Sequence, residues 1–143
     1  QILKDLQDNG CKIIGDNKIR KSYNMKIKKA FIKDWSKEYL APTVSVKSVK
    51  NINEAIQHIN QYGTMHTDCI ITQNKKSAKK FLSEVKSSIA MHNTSTQFAD
   101  GGEFGFGGEV GISTNPLPPR GPVGLNQLVS YKYQITSKGV IRK

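Results

Sequence analysis

The stretch that decides the fold is "TVSVKSVKNINEAIQHINQYGTMHTDCIITQNKKSAKKFLSEVKSSIAMH", residues 43–92. Its opening "TVSVKSV" alternates and is rich in β-branched side chains, the mark of a strand. Asn51 followed by Glu54 has the spacing of a capping box, and Ile52, Ala55, Ile56 and Ile59 form one helical face ending before Gly63. "DCIIT" (68–72) reads as a second strand. Asn74 then caps a helix whose inward face is Ala78, Phe81, Leu82 and Val85, and "SIAMH" (88–92) reads as a third strand. Strand–helix–strand–helix–strand at this spacing predicts two crossover units and a small parallel sheet, an α/β fold.

Working outward, residues 2–9 read as a helix stopped by Gly10, and "CKIIGD" (11–16) as a short buried strand with Cys11 as a small core residue. The segment 17–33 has weak periodicity. After residue 93 regular patterning stops until "VSYKYQI" (129–135) and "GVIRK" (139–143), which are expected to pair as a β-hairpin around Ser137–Lys138–Gly139. The expected division is therefore 1–128 for the main body and 129–143 for the hairpin, with no internal repeats.

A chain of 143 residues fits one domain. No apolar run reaches membrane-spanning length and no secretory signal core is present, so no membrane role is expected. Cys11 and Cys69 have neither metal-type spacing nor the pattern of a disulfide framework, which makes a reducing cytoplasm the default. The chain begins at Gln1, as a processed product or a piece of a longer chain would. Net charge is +11, and Lys18, Arg20, Lys21, Lys26, Lys28, Lys29 and Lys33 fall together without an intervening acid. Such a run can neutralise phosphates. Arginine, the usual choice for bidentate phosphate and base recognition, occurs only at 20, 120 and 142. A solvated lysine face is favoured over a nucleic-acid site.

The glycine-dense segment "DGGEFGFGGEVGIST" (100–114) invites comparison with a nucleotide cradle. That motif needs G-x-G-x-x-G after a strand and before a helix. Gly105, Gly107 and Gly111 have the wrong spacing, "STNPLPPRGP" cannot begin a helix, and Glu103 and Glu109 would repel a pyrophosphate. His58, His66 and His92 are scattered, so no metal site is expected. Serine is too abundant for a Ser-His-Asp arrangement to carry weight. Cys69, beside Ile70 and Ile71, reads as a buried inert thiol.

One match is specific. "EYLAP" (38–42), "INEAIQHINQYGTMHTDCIIT" (52–72), "NTSTQFADGGEFGFGGEVGIST" (93–114) and "RGPVGL" (120–125), with "GCKIIGD" before them and "YKYQI" and "GVIR" after them, occur in one order. That order resembles the gamma-glutamyl phosphate reductases, also called glutamate-5-semialdehyde dehydrogenases, of the aldehyde dehydrogenase superfamily. The resemblance spans nearly the whole chain. It implies an aldehyde-dehydrogenase-like α/β fold, here a partial catalytic domain with an oligomerisation hairpin at its C-terminal end. It also implies NADPH-dependent reduction of gamma-glutamyl phosphate to glutamate-5-semialdehyde in proline biosynthesis. In the superfamily a cysteine thiolate attacks the acyl carbon and hydride arrives from the nicotinamide, which demands an activated thiol, a held cofactor and oxyanion donors.

The resemblance places the nucleophilic cysteine and the cofactor-binding domain upstream of the matched region, so no catalytic residue is expected in this chain. Glu38 matches the carboxylate that hydrogen-bonds the nicotinamide ribose of NADP and Leu40 its apolar companion; an exposed strand-end acid is the competing reading for Glu38. Asn93, Ser95 and Thr96, with the loop through Phe104 and Gly105, match the stretch lining the substrate side of the cleft. Its glycines either let the backbone close around substrate and cofactor or only permit tight turns. Gln97 stands where the family has arginine, and Pro118–Pro119 where it has His-Ala, departures that weaken the case for catalytic competence. The expected role is the C-terminal part of such a reductase, inactive alone, with the N-terminal half and a second copy of the chain as partners. A non-catalytic oligomerising or scaffold module and a weak basic nucleic-acid binder are the alternatives.

Overall fold

In the computed structural model, which describes residues 1–142, the first third of the chain builds a three-stranded parallel sheet in the order β2-β1-β3. Helix α1 (Ile2–Asp8) ends as expected at Gly10, whose φ of 81° is left-handed and whose N–H donates to the Gln7 carbonyl at 2.9 Å. Strand β1 (Lys12–Gly15) follows. Asp16 then caps α2 (Asn17–Ser22), accepting from Ile19 N–H at 2.8 Å, while its other oxygen accepts from Ser48 N–H at 2.9 Å. One carboxylate thus ties α2 to the segment after β3 (Thr43–Val46). Strand β2 (Ile27–Lys29) lies inside the basic segment that had no clear period. Gly15 is required for close packing here, since a Cβ on it would lie 2.8 Å from Ile27 Cγ2 and 2.9 Å from Ile19 Cγ2.

The second unit holds the main core. Asn51 caps α3 (Ile52–Tyr62) by accepting from Glu54 N–H at 3.0 Å, and Glu54 reaches back to Lys50 N–H at 2.8 Å, one residue earlier than a standard box. Strand β4 (Thr67–Ile70), helix α4 (Lys75–Glu84) and strand β5 (Ile89–His92) form a parallel crossover unit, with Asn74 accepting from Ser77 N–H at 3.0 Å as the cap of α4. Ile56, Phe81 and Val85 form the buried cluster, with Ile52, Ile59, Ile70 and Ala90 packed against it. Leu82 departs from expectation. It is 42% exposed because the buried face of α4 runs through Ala78 and Phe81.

Two further expectations are corrected. The single parallel sheet through all three central strands is not formed: β3 pairs with β1, and β4 pairs with β5 alone. The β4–β5 pairing extends back before β4, where Ser88 and Ile89 donate to the Met65 and His66 carbonyls at 2.9 and 3.0 Å, while β3 takes its hydrogen bonds from β1. The C-terminal hairpin is also not formed. Among the described residues, 128–142 make no strand ladder, and the N–H groups of Gly139 and Val140 turn locally onto Ser137 Oγ at 3.2 and 3.3 Å. An isolated two-stranded hairpin is marginal in water, and nothing packs on this one. Its last expected residue, Lys143, lies outside the described residues.

The antiparallel pair that does form is β6 (Glu109–Ser113) with β7 (Gly121–Gly124), irregular between Glu109 and Gly111. The Ser88 hydroxyl donates to the Ser113 carbonyl at 3.0 Å, and a Cβ on Gly121 would meet Ile89 Cγ1 at 3.6 Å, so the pair rests on β5.

Candidate functional site

Glu38 and Leu40 flank Tyr39, and Tyr39 is the anchor. Its hydroxyl lies 3.1 Å from Asp34 Oδ1 and 2.8 Å from Ser45 Oγ, while Ser45 Oγ donates to the Asp34 carbonyl at 3.0 Å. Asp34 closes the turn by accepting from Phe31 N–H at 2.7 Å. That backbone bond, helped by the Tyr39 hydroxyl and by Lys33 and Lys37, holds the Asp34 carboxyl below its usual range despite burial. Burial pushes the Tyr39 phenol up. With Tyr39 turned onto β3, its two neighbours face outward: Glu38 is exposed, and Leu40 is 89% exposed at a left-handed φ of 49°. Asp34, Tyr39 and Ser45 were missed by sequence reasoning, although "D-x-x-x-x-Y" beside a strand serine is a visible polar pattern.

Glu38 lines a cleft of about 330 Å³ with Trp35, Lys37, Tyr62, Thr64 and Asp68. Asp68 accepts a short hydrogen bond from the Ser87 hydroxyl, yet burial still pushes its carboxyl up. Beside it, His58 packs between Trp35 and Tyr62, with ring centroids 5.3 and 4.8 Å apart, and Lys47 Nζ lies 3.1 Å from His58 Nδ1. Burial, reinforced by the Lys47 ammonium and opposed by Glu54, pulls the imidazole below 6.5.

The second candidate segment follows β5. Asn93, at φ 54°, clamps the exits of β4 and β5: its side chain accepts from Thr72 N–H at 2.8 Å and donates to the Thr72 carbonyl at 2.9 Å. Thr94 offers its carbonyl to Cys69 Sγ at 3.1 Å. Ser95 begins a 3-10 turn over Thr96–Phe98 and lines a cleft of about 240 Å³ with Gln97, Phe98 and Glu103; Thr96 is exposed beside it. Phe104 packs edge-on against Phe106 at 5.8 Å, and Gly105 has φ 73°.

The glycine loop is closed on its own acids. Asp100 accepts from Gly102 and Glu103 N–H at 2.7 and 3.2 Å, and Glu109 accepts from Gly101 N–H at 2.6 Å. The amides of Gly101, Gly102 and Glu103 at the start of the loop are therefore held by the loop's own carboxylates. Glu38 and Ser95 line different clefts, the first beside the approach to β4 and the second past the ends of β4 and β5. Of the groups that would hold an NADP molecule, the described residues offer one exposed carboxylate, Glu38, and do not fit the rest of it.

The two thiols sit in different surroundings. Cys69 is half-buried in β4 and donates to a carbonyl. Cys11, expected as a small core residue of a buried strand, is instead half-buried just before β1 and shares a cleft with Lys12, Lys26 and Lys28.

The chain is 50% identical to gamma-glutamyl phosphate reductase of Methylocella silvestris, over 99% of this chain and 33% of that protein. It is 47% identical to the Oceanobacillus iheyensis reductase, over 100% of this chain and 34% of that one. The crystal structure of gamma-glutamyl phosphate reductase from Thermotoga maritima superposes with a TM-score of 0.93 at 42% identity, covering 99% of this chain and 34% of that one. The Saccharomyces cerevisiae enzyme superposes more loosely, with a TM-score of 0.53 at 34% identity, over 73% of this chain and 28% of that one. The chain thus spans about one third of the length of the curated relatives it matches. The model of the aldehyde dehydrogenase family matches residues 29–126. On this extent of agreement, the chain belongs to the aldehyde dehydrogenase family, as a portion corresponding to gamma-glutamyl phosphate reductase.

Proposed function

We propose that the chain is the C-terminal portion of a cytoplasmic, NADPH-dependent gamma-glutamyl phosphate reductase of proline biosynthesis, and that it is inactive by itself. The observation that carries the reading is the near-complete superposition of this chain on one third of a reductase of that name. Reduction of the acyl phosphate needs a thiolate to displace phosphate and a hydride to collapse the thioester to the aldehyde. This chain contributes neither. Its part is to present Glu38 to the nicotinamide ribose and to line the substrate side with Asn93, Ser95, Thr96, Phe104 and Gly105, once the thiol-bearing and cofactor-binding portion is supplied by another chain. Gln97, in place of arginine, leaves that wall without a cation for the substrate carboxylate or phosphate.

The C-terminal segment completes the assembly by pairing with another copy. Val129, Tyr131, Tyr133 and Ile135 alternate with polar residues in the sequence and are 72%, 82%, 83% and 91% exposed, an apolar pattern that a strand pairing with another copy would place on one side. The assay runs the reaction backwards, following NADPH formed from glutamate-5-semialdehyde, NADP and phosphate. No turnover is expected from the chain alone, and turnover is expected on adding the complementary N-terminal portion. Turnover by the isolated chain that Cys11→Ser or Cys69→Ser abolishes would overturn the proposal, and failure of complementation would favour a non-catalytic oligomerising module.

A further inference from the structure

The basic segment reads as a solvated face, but the strand register gives two of its lysines, Lys26 and Lys28, a common direction with Lys12, which precedes it. Ile13 pairs with Ile27 and Ile14 with Lys28 in the parallel ladder of β1 and β2. One step back in the same register, Lys12 lies level with Lys26, and strand alternation puts Lys12, Lys26 and Lys28 on one face. The opposite face, Ile13, Gly15 and Ile27, is the one covered by α2 through Ile19. Like charges directly across a ladder repel at about 5 Å. The three lysines are exposed, and none takes part in either ion pair found among the described residues, Lys4–Asp8 and Lys80–Glu84.

They do not simply fan into solvent. Lys12, Lys26 and Lys28 line a cleft of about 320 Å³ with Gln7, Gly10, Cys11 and Ile13, and no carboxylate is among its lining residues. Gln7 forms its wall by donating to the Lys26 carbonyl at 3.1 Å. On neighbouring α1, Asp5 accepts from Gln1 and Asp8 from Lys4, and on the same sheet face Asp34 sits at Ser45 on the far strand, engaged by Phe31 and Tyr39. The cleft's size is at the low end for small-molecule sites.

We propose that the cleft formed by Lys12, Lys26 and Lys28 at the β1–β2 edge binds a compact oligophosphate, a diphosphate group carrying about three negative charges at neutral pH. Three ammonium groups on one face match that charge, and the recess favours a short anion over an extended polymer. The inference stands independently of the catalytic proposal.

The test uses pyrophosphate at fixed ionic strength, with two readouts. Calorimetric titration is expected to show one saturable site, weakened about tenfold or more in Lys12→Gln/Lys26→Gln/Lys28→Gln. The triple Lys75→Gln/Lys76→Gln/Lys79→Gln removes the same charge from α4 and should stay within about twofold of the parent. Cys11 lines the cleft, so pyrophosphate should slow its reaction with a thiol reagent severalfold while leaving Cys69 unchanged. This second readout needs no variant. ADP in place of pyrophosphate distinguishes a nucleotide from a free oligophosphate, the nucleotide binding more tightly only if its base and sugar find contacts. Equal losses in both triple variants, no saturation, or an unprotected Cys11 would overturn the proposal, as would duplex DNA protecting Cys11 at lower phosphate concentration than pyrophosphate.

Discussion

Asn93 can be tested as a structural clamp by a three-member series. The residue holds a left-handed φ of 54° and makes two side-chain bonds to the Thr72 peptide, at 2.8 and 2.9 Å. Asn93→Gly tolerates the backbone geometry and loses both bonds. A net hydrogen bond contributes about 0.5–1.5 kcal/mol. The Thr72 carbonyl keeps a second partner in His92 Nε2 at 2.9 Å, so the loss should fall at about 1–2 kcal/mol. Asn93→Ala loses the same bonds and also places a Cβ in the left-handed region, adding about 1 kcal/mol, for a total of about 2–3 kcal/mol. Asn93→Asp retains the acceptor for Thr72 N–H but sets a carboxylate against the Thr72 carbonyl, and should be no better than glycine. Urea unfolding followed by circular dichroism should therefore rank the parent above Gly and Gly above Ala. A glycine variant as stable as the parent would remove the clamp, and an alanine variant equal to glycine would show that the left-handed geometry is not held.

Phe81→Ala should cost about 3–5 kcal/mol in the same assay, against under about 1 kcal/mol for the adjacent Leu82→Ala, because Phe81 is 2% and Leu82 42% exposed. The depressed His58 imidazole contributes stability that is fully present above 6.5 and is lost as pH falls below it, when the unfolded chain takes up the proton first. His58→Gln should flatten that part of the stability profile, and Lys47→Gln should raise the His58 titration midpoint seen by NMR. Deleting 129–143 should lower the mass measured by light scattering, and a strictly monomeric intact chain at high concentration would rule out strand pairing. Duplex DNA should bind weakly and lose its grip near physiological salt in a fluorescence titration, since the basic segment lacks interleaved aromatics.

The elements that the sequence made legible are those with local signals. Asn51 and Asn74 cap the helices they were expected to cap, Gly10 stops α1, and Ile56, Phe81 and Val85 are buried on the expected faces. Pairing between strands was less legible because strand patterns state which face is apolar and not which neighbour takes the hydrogen bonds. "TVSV" carries no sign that its ladder goes back to "KIIG" rather than forward to "TDCI". β6 and β7 were hidden by glycine and proline, whose poor strand propensity is overridden by the surface of β5 beneath them. The opposite error occurred at "VSYKYQI", where strong local alternation met no surface to pack on.

The candidate site divides along the same line, and the glycine loop shows why. Its glycines marked flexibility correctly, with Gly105 and Gly107 at φ 73° and 75° and open space around each. What decides its chemistry is the acids around them: from sequence Glu103 and Glu109 read only as charges that would repel a phosphate, and Asp100 carried no reading. Folded, Asp100 and Glu109 occupy the loop's amides, and a Cβ on Gly101 would stand 2.9 Å from Glu109 Oε2. The carboxylates thus do more than repel an anion: they close the first turn of the loop themselves. The same inversion holds at Tyr39. A motif drew attention to Glu38 and Leu40, while the residue between them makes the contacts that decide where both can point. Glu38→Gln should accordingly leave stability unchanged and act only in the complemented enzyme, by raising KM for NADP. Tyr39→Phe should lower stability by about 1–2 kcal/mol through its two lost hydroxyl contacts. Were Glu38→Gln to destabilise the isolated chain as much as Tyr39→Phe, Glu38 would be part of the scaffold, and its assignment to a cofactor ribose would fail.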